Sequence, residues 1–337
     1  MERDKKLMLR KAVKPYEKSE FQLSIIQIFN TLVPYLLCII LGMFAYQISP
    51  LISIALGVVG AFFLVRSFII FHDCCHGSFF KNKKWNDRLG NFTGFLTLFP
   101  YQQWRREHNI HHATSGNLDK KGVGDIWMMT IEEYEAADKK TQLAYRIYRN
   151  PFVMFVIGPI YLLLVSNRFN RKDARQKEKI NTWLHNIAIV VVYGAIIYFF
   201  GFGLFAAVFI PVMFVGGMLG IWMFYIQHTF EESYFEENSE WDYVKAAVEG
   251  SSYYKLPKLL QWLTGNIGFH HVHHLSPRIP NYYLEKAHEE TPPLQHATTI
   301  TLKTSLESLR YKLYDEKKKV FITFKEYYQN YANKKVI

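Results

Sequence analysis

Ten of the thirteen histidines fall in four short stretches. His72 and His76 sit in FHDCCHGSFF, and His108, His111 and His112 in REHNIHHATSGN. His270, His273 and His274 sit in GNIGFHHVHHLSP, and His228 stands alone in FYIQHTFEE. The spacings are i, i+4 in the first cluster and i, i+3, i+4 in the other two. On a helix both place the imidazoles on one face, a turn apart. Neutral imidazole is the commonest metal ligand among side chains. Eight or nine of them exceed what one tetrahedral ion takes. The count therefore points to a dinuclear metal centre built almost wholly of histidine. His185, His288 and His296 belong to no such cluster and read as structural or surface residues.

Ligand type alone allows zinc, copper, iron or nickel. A hydrolytic zinc site of the HExxH kind is absent, since Glu290 and Thr291 follow His288-Glu289. A carboxylate-bridged site in a soluble four-helix bundle needs Glu-x-x-His twice, and Glu285–His288 is its one instance. Cys75 is a conceivable soft ligand, but with nitrogen ligands plentiful it reads as a packing residue. His271 stays open at this level, because it too is i+3 to a box histidine, His274.

The elements that must carry these boxes are apolar. Hydrophobic residues make up 50% of the 337 and aromatics 17%, against 20% charged, with a net charge of +11. A basic chain suits nucleic acid or an anionic membrane; no nucleic-acid-binding pattern is present, and the apolar runs decide for the membrane. Three cysteines make no disulfide framework and suit a reducing compartment. The charged first twenty residues do not resemble a signal peptide.

Residues 24–48 carry no charge and residues 50–71 carry one, Arg66. Each can cross a hydrocarbon core of about 30 Å as a helix, and Arg66 is expected to snorkel to the interface. Residues 183–202 and 204–227 form a second apolar pair. Six Lys or Arg against two acids in residues 168–179, and seven basic residues in the N-terminal head, place both on the cytoplasmic side. All four histidine sites then meet on that side. Residues 89–101 and 151–166 are shorter or proline-bearing and read as interfacial or re-entrant.

The expected fold is thus an all-α integral membrane protein with four transmembrane helices in two hairpins and a cytoplasmic helical cap carrying the metal site. The divisions are a cytoplasmic head at 1–23, hairpins at 24–71 and 183–227, and cap parts at 72–182 and 228–337. In the cap the run TIEEYEAADKKTQLAYRIY from Thr130 has an amphipathic helix pattern, and the Lys-rich stretch 299–337 is expected to be helical.

The boxes HDCCH, HNIHH and HHVHH, with QHT near the last span, resemble the membrane fatty-acid desaturases over nearly the whole chain. The surrounding wording, LTLFPYQQWRREHNIHHATSGNLDKKGVGDIW and VEGSSYYKLPKLLQWLTGNIGFHHVHHLSP, is similar to the Bacillus-type acyl-lipid Δ5 group of that family. The resemblance implies a cell-membrane enzyme with two iron ions that uses O2 and two electrons to place a cis double bond in phospholipid acyl chains, a role in restoring membrane fluidity in the cold. It implies nine ligands: His72, His76, His108, His111, His112, His228, His270, His273 and His274. It leaves His271 as a variable position and suggests Asn266 as a residue holding a water near the metal, although Asn266 reads equally as a turn residue. No haem segment and no dinucleotide fingerprint is visible, so electrons come from a separate carrier, ferredoxin or flavodoxin by the resemblance.

Each metal-bound imidazole is expected to give its other N–H to an acceptor. Asp73, Glu107, Asp119, Asp125, Glu231 and Glu249 are the nearest acids in sequence. Two other readings are open. Related histidine-box enzymes hydroxylate instead of desaturating. A polytopic metal transporter would need ionisable residues deep inside its spans, whereas here the histidines sit at span ends.

Overall fold

The structure, a computed structural model, describes residues 2–332. It is an all-α membrane protein, and among the described residues four helices are long and apolar enough to cross a bilayer. Helix α1 is Glu2–Val13. Helices α2 (Phe21–Ala45) and α3 (Pro50–His76) form the first hairpin. Helix α4 (Lys83–Thr97) packs against α3, and after a left-handed turn at Leu98 (φ 63°) comes α5 (Tyr101–Thr114). Helices α6 (Ile131–Ala136) and α7 (Lys139–Tyr148) lead to a bent segment, a π turn at Val153–Ile157 and α8 (Gly158–Leu164). The second hairpin is α9 (Gln176–Phe200) and α10 (Phe202–His228). Helices α11 (Tyr243–Glu249), α12 (Lys258–Leu263), α13 (His270–Leu275), α14 (Asn281–Glu289) and α15 (Phe324–Asn330) complete the chain.

Spans α3 and α10 form the spine. A Cβ on Gly60 would lie 3.3 Å from Val212, and one on Gly216 2.9 Å from Leu64. Small residues let the backbones approach closely, as membrane helices require. Both pairs keep one offset, so the helices run parallel, and that offset carried onward sets His76 level with His228. Each helix reaches its histidines in its last turns. Helix α3 stops directly after His76 because Gly77 takes φ 73°, with its N–H bonded to the Cys74 carbonyl at 3.1 Å.

Because α3 and α10 end together, and α9 and α10 form a hairpin, α3 ends on the side where α9 begins. Residues 77–175 must then cross an even number of times or not at all. The helices at 139–148 and 153–168 meet at a 68° bend and could together count as one broken span. Parity disfavours such a lone crossing.

Four details depart from the sequence reading. Helix α9 begins at Gln176, inside the basic flank. The amphipathic run after Thr130 is two helices, because Asp138 stops the first and caps the second, accepting from the Thr141 N–H at 2.7 Å. The stretch 299–332 is mostly short strands and 3-10 turns. Strand β1 (Met129–Thr130) pairs with β4 (Leu313–Asp315), which pairs with β5 (Val320–Ile322), while β2 (Tyr253–Lys255) pairs with β3 (Thr299–Thr301). Lysine content suggested helix there; the Val-Phe-Ile run and the left-handed Lys319 (φ 57°) make a hairpin instead. Residues 333–337 lie outside the described residues.

The fourth is Arg66, which is buried. Its Nε donates to Thr31 at 3.0 Å, another nitrogen donates to the Trp262 carbonyl, and the Trp262 ring lies 4.2 Å away. Thr31 comes from α2 and Trp262 from α12, which packs against α3, so the charge is satisfied inside the protein. A local test of packing is Gly90→Ala. Its Cβ would fall 2.2 Å from the Tyr101 ring, which is held by a 2.9 Å bond to the Cys74 carbonyl. The variant should lose about 1–3 kcal/mol, read as a lowered Tm in detergent.

Candidate metal centre

Four elements bring the boxes together: the ends of α3 and α10, helix α5 and helix α13. Histidines 72, 76, 108, 112 and 273 form one nest in which one nitrogen of each lies within 4.8 Å of all the others. His111, His228 and His274 form a second, and His270 Nε2 joins it at 3.0 Å from both His228 and His274 Nε2. Within the first nest, His112 Nε2 is 3.1 Å from His108 Nε2 and 2.9 Å from His273 Nε2. Such spacings are the edges of a coordination shell: metal–nitrogen bonds of about 2.1 Å at right angles put neighbouring nitrogens about 3 Å apart and opposite ones about 4.2 Å apart. The nests adjoin, since the rings of His112 and His274 stack at 4.2 Å.

Electrostatics favour the ligand form. Burial, and then the neighbouring imidazoles, push His108, His112, His270, His273 and His274 well below the usual histidine range. These rings stay neutral with a lone pair to offer. The ring nitrogens His76 Nε2 and His111 Nε2 are buried with no hydrogen-bond partner, which is the condition of a donor that a metal would satisfy. The donor set therefore fits metal ions.

Outer contacts orient three of the rings. His111 Nδ1 faces Asp125 Oδ1 at 2.5 Å, and the other carboxylate oxygen takes the Gly122 N–H at 2.8 Å. Burial alone would raise the Asp125 carboxyl; the bonds to His111 and Gly122 outweigh it and hold the group below its ordinary value. His72 Nδ1 lies 3.2 Å from Asp73 Oδ1, and His228 Nδ1 lies 3.2 Å from the Gly250 carbonyl. These contacts turn each Nε2 inward. Among the described residues, His112, His270 and His273 have Nδ1 buried with no protein partner. Of the six acids nearest in sequence, Asp73 and Asp125 reach rings. Asp119 instead takes the Asn238 N–H, and Glu231 the Tyr311 hydroxyl.

His271 turns away from both nests, with Nε2 3.0 Å from His288 Nδ1. Burial lowers it to about 3. His288, read from sequence as a bland residue, is its partner. His271→Ala should keep the metal content of the wild type while costing about 1–3 kcal/mol for the unmade bond; metal analysis beside a melting curve checks both. Asn266 sits in a left-handed turn (φ 58°) with Nδ2 on the Asn281 carbonyl at 3.2 Å. Sequence reasoning missed Asn281 itself. Its N–H and Nδ2 both donate to Asp73 Oδ2, at 2.7 and 2.8 Å, and no local pattern marks it. Around the first nest, the Trp104 ring stacks on His108 at 4.2 Å, and Phe71 lies 4.9 Å from Trp104.

Residues 30–303 match the family model described as fatty acid desaturase. The chain is 57% identical to a fatty acid desaturase of Bacillus subtilis (strain 168) over 321 residues, covering 95% of this chain and 91% of that one. The chain belongs to the fatty acid desaturase family. It is an oxidoreductase that desaturates fatty-acyl chains. More distant members include an sn-1 oleoyl-lipid 12-desaturase of Synechocystis, 28% identical over 67% of this chain and 64% of that one. Another, from Anabaena variabilis and bearing the same description, is 27% identical over 84% and 81%. The histidine nests of this desaturase are consistent with an iron site.

Proposed function

We propose that the nine histidines hold two iron ions and that the enzyme introduces a cis double bond into saturated acyl chains of membrane phospholipids, at the Δ5 position that the resemblance implies. The observation that carries this reading is the pair of adjoining all-nitrogen nests in a desaturase chain. Names among the relatives support a lipid-bound substrate, since two of them are oleoyl-lipid desaturases. An unactivated methylene has no acidity that a side-chain base could exploit. Iron bound here would supply the O2-derived oxidising power that its C–H bonds require. The balance is one O2, two electrons and two protons taken up with two substrate hydrogens, giving two waters. The chain's own residues hold neutral imidazoles with Nε2 inward, set their orientation through Asp73, Asp125 and the Gly250 carbonyl, and wall the first nest with Trp104 and Phe71.

In this reading the enzyme sits in the cell membrane with termini and metal centre cytoplasmic, and the segments at 89–101 and 151–166 do not cross alone. The basic flanks and the parity of the spans support that. Electrons come from a separate acidic carrier of the ferredoxin or flavodoxin kind, which suits the chain's net charge of +11. The test is expression in a host making only saturated fatty acids, with mass spectrometry that locates double bonds in its phospholipids. A new monounsaturated chain with one fixed position is expected; hydroxylated chains would move the reading to a hydroxylase.

A further inference from the structure

Arg149 follows α7 and is 1% exposed. Its Nη2 donates to the Tyr225 hydroxyl at 3.2 Å and to the Tyr311 carbonyl at 2.9 Å, and its guanidinium lies 5.1 Å from the Tyr225 ring centre. Its Nε is buried with no partner, and among the described residues it pairs with no carboxylate. A second cation stands beside it. Lys312 Nζ donates to the Arg149 carbonyl at 2.8 Å. Burial, and then the Arg149 charge, push the Lys312 ammonium down to about 8. Two sequestered cations without an anion are costly.

Arg149 also lines a cavity of about 60 Å³, together with His111, Asp125, Phe224 and His228. A single water needs only roughly 10–15 Å³ of such space. The cavity's volume suits a phosphate group and is far too small for an acyl tail. Asp125 is not the missing counter-ion, because its oxygens are taken by His111 and Gly122.

We propose that this cavity is an anion site for a phosphate group, with Arg149 as its counter-charge and Lys312 in support. The phosphate can come from a phospholipid head group or from free phosphate. The choice of a lipid head group rests on the acyl-lipid reading above; the anion site itself does not. The place of the site gives a lipid phosphate a consequence. Tyr225, which Arg149 touches, lies three residues before His228, about 4.5 Å along the helix axis. A head group held there would tether the ester end of the lipid at a fixed reach from the second nest, so the double bond would be counted from that end.

The test uses the full-length protein in detergent and phosphate-free buffer, reading Tm without turnover. The probes are inorganic phosphate and monomeric dihexanoyl-phosphatidylglycerol. A rise in Tm with the wild type that is lost in Arg149→Met supports the site. A rise with both probes identifies a phosphate site open to solvent phosphate, and a rise with the short lipid alone identifies the head group. Lys312→Met leaves the Arg149 side-chain bonds in place and should weaken the apparent affinity by about tenfold, which covers the case of a misfolded Arg149→Met. No rise in the wild type, or the same rise in Lys312→Met and Arg149→Met, overturns the proposal. Because no desaturation is measured, failure here leaves the reaction assignment standing.

Discussion

Replacing His112 with alanine should abolish the desaturated product and remove iron from the purified protein. His112 is the ring with most to lose. Its Nε2 lies 3.1 Å from His108 Nε2 and 2.9 Å from His273 Nε2, and its face stacks on His274 in the other nest. Loss of an outer partner of a ligand commonly costs 10–100-fold in metal affinity or activity; loss of a ligand shared by so tight a nest should exceed about 100-fold. Product analysis by mass spectrometry and iron content by elemental analysis read the two effects separately. His185 is the control. It lies on α9, outside both nests, so His185→Ala should keep both product and iron. An active His112→Ala with full iron would remove the nests from the mechanism.

The second large effect is expected from Asp73→Asn, which changes no ligand. Asp73 is 1% exposed and joins two jobs. One oxygen faces His72 Nδ1 at 3.2 Å; the other takes the N–H and the side-chain amide of Asn281 at 2.7 and 2.8 Å. Asn281 in turn exchanges two bonds with Gln27 on α2, at 2.9 and 3.1 Å. An asparagine at 73 brings an NH2 that must face either His72 or two donors on Asn281. Turned toward Asn281, it leaves buried donors unmade, at about 1–3 kcal/mol each. Turned toward His72, it offers a donor where the ring needs an acceptor, and the tautomer with Nε2 inward is lost. Iron affinity should fall by about 10–100-fold, with a lowered Tm. Asn281→Ala separates the two jobs, since it should lower Tm while leaving the contact between His72 and Asp73. If Asp73→Asn kept wild-type iron binding, His72 would be oriented by something other than Asp73.

Helical spacing alone grouped the histidines, and a count above one ion's need pointed to two. The four spans were equally legible, because a charge-free run of twenty or more residues has few fates outside a bilayer. What the sequence could not decide was every contact between distant segments. Spacing left His271 open beside His270, and the packing of α13 separated them: His270 meets His228, while His271 meets His288. Six acids were candidates to orient the rings, and the folded chain brings Asp73 and Asp125 to them. Arg66 was expected at the interface, until the Trp262 carbonyl on α12 closed over it. The reason is common to all three. A hydrogen bond is made or lost over a few tenths of an ångström, and that distance is set by how helices far apart in the chain pack, a quantity no local pattern carries. Hydrophobicity and periodicity act residue by residue, so the sequence by itself determined the spans and the ligand types; the partners of each ligand were decided only when the chain was folded.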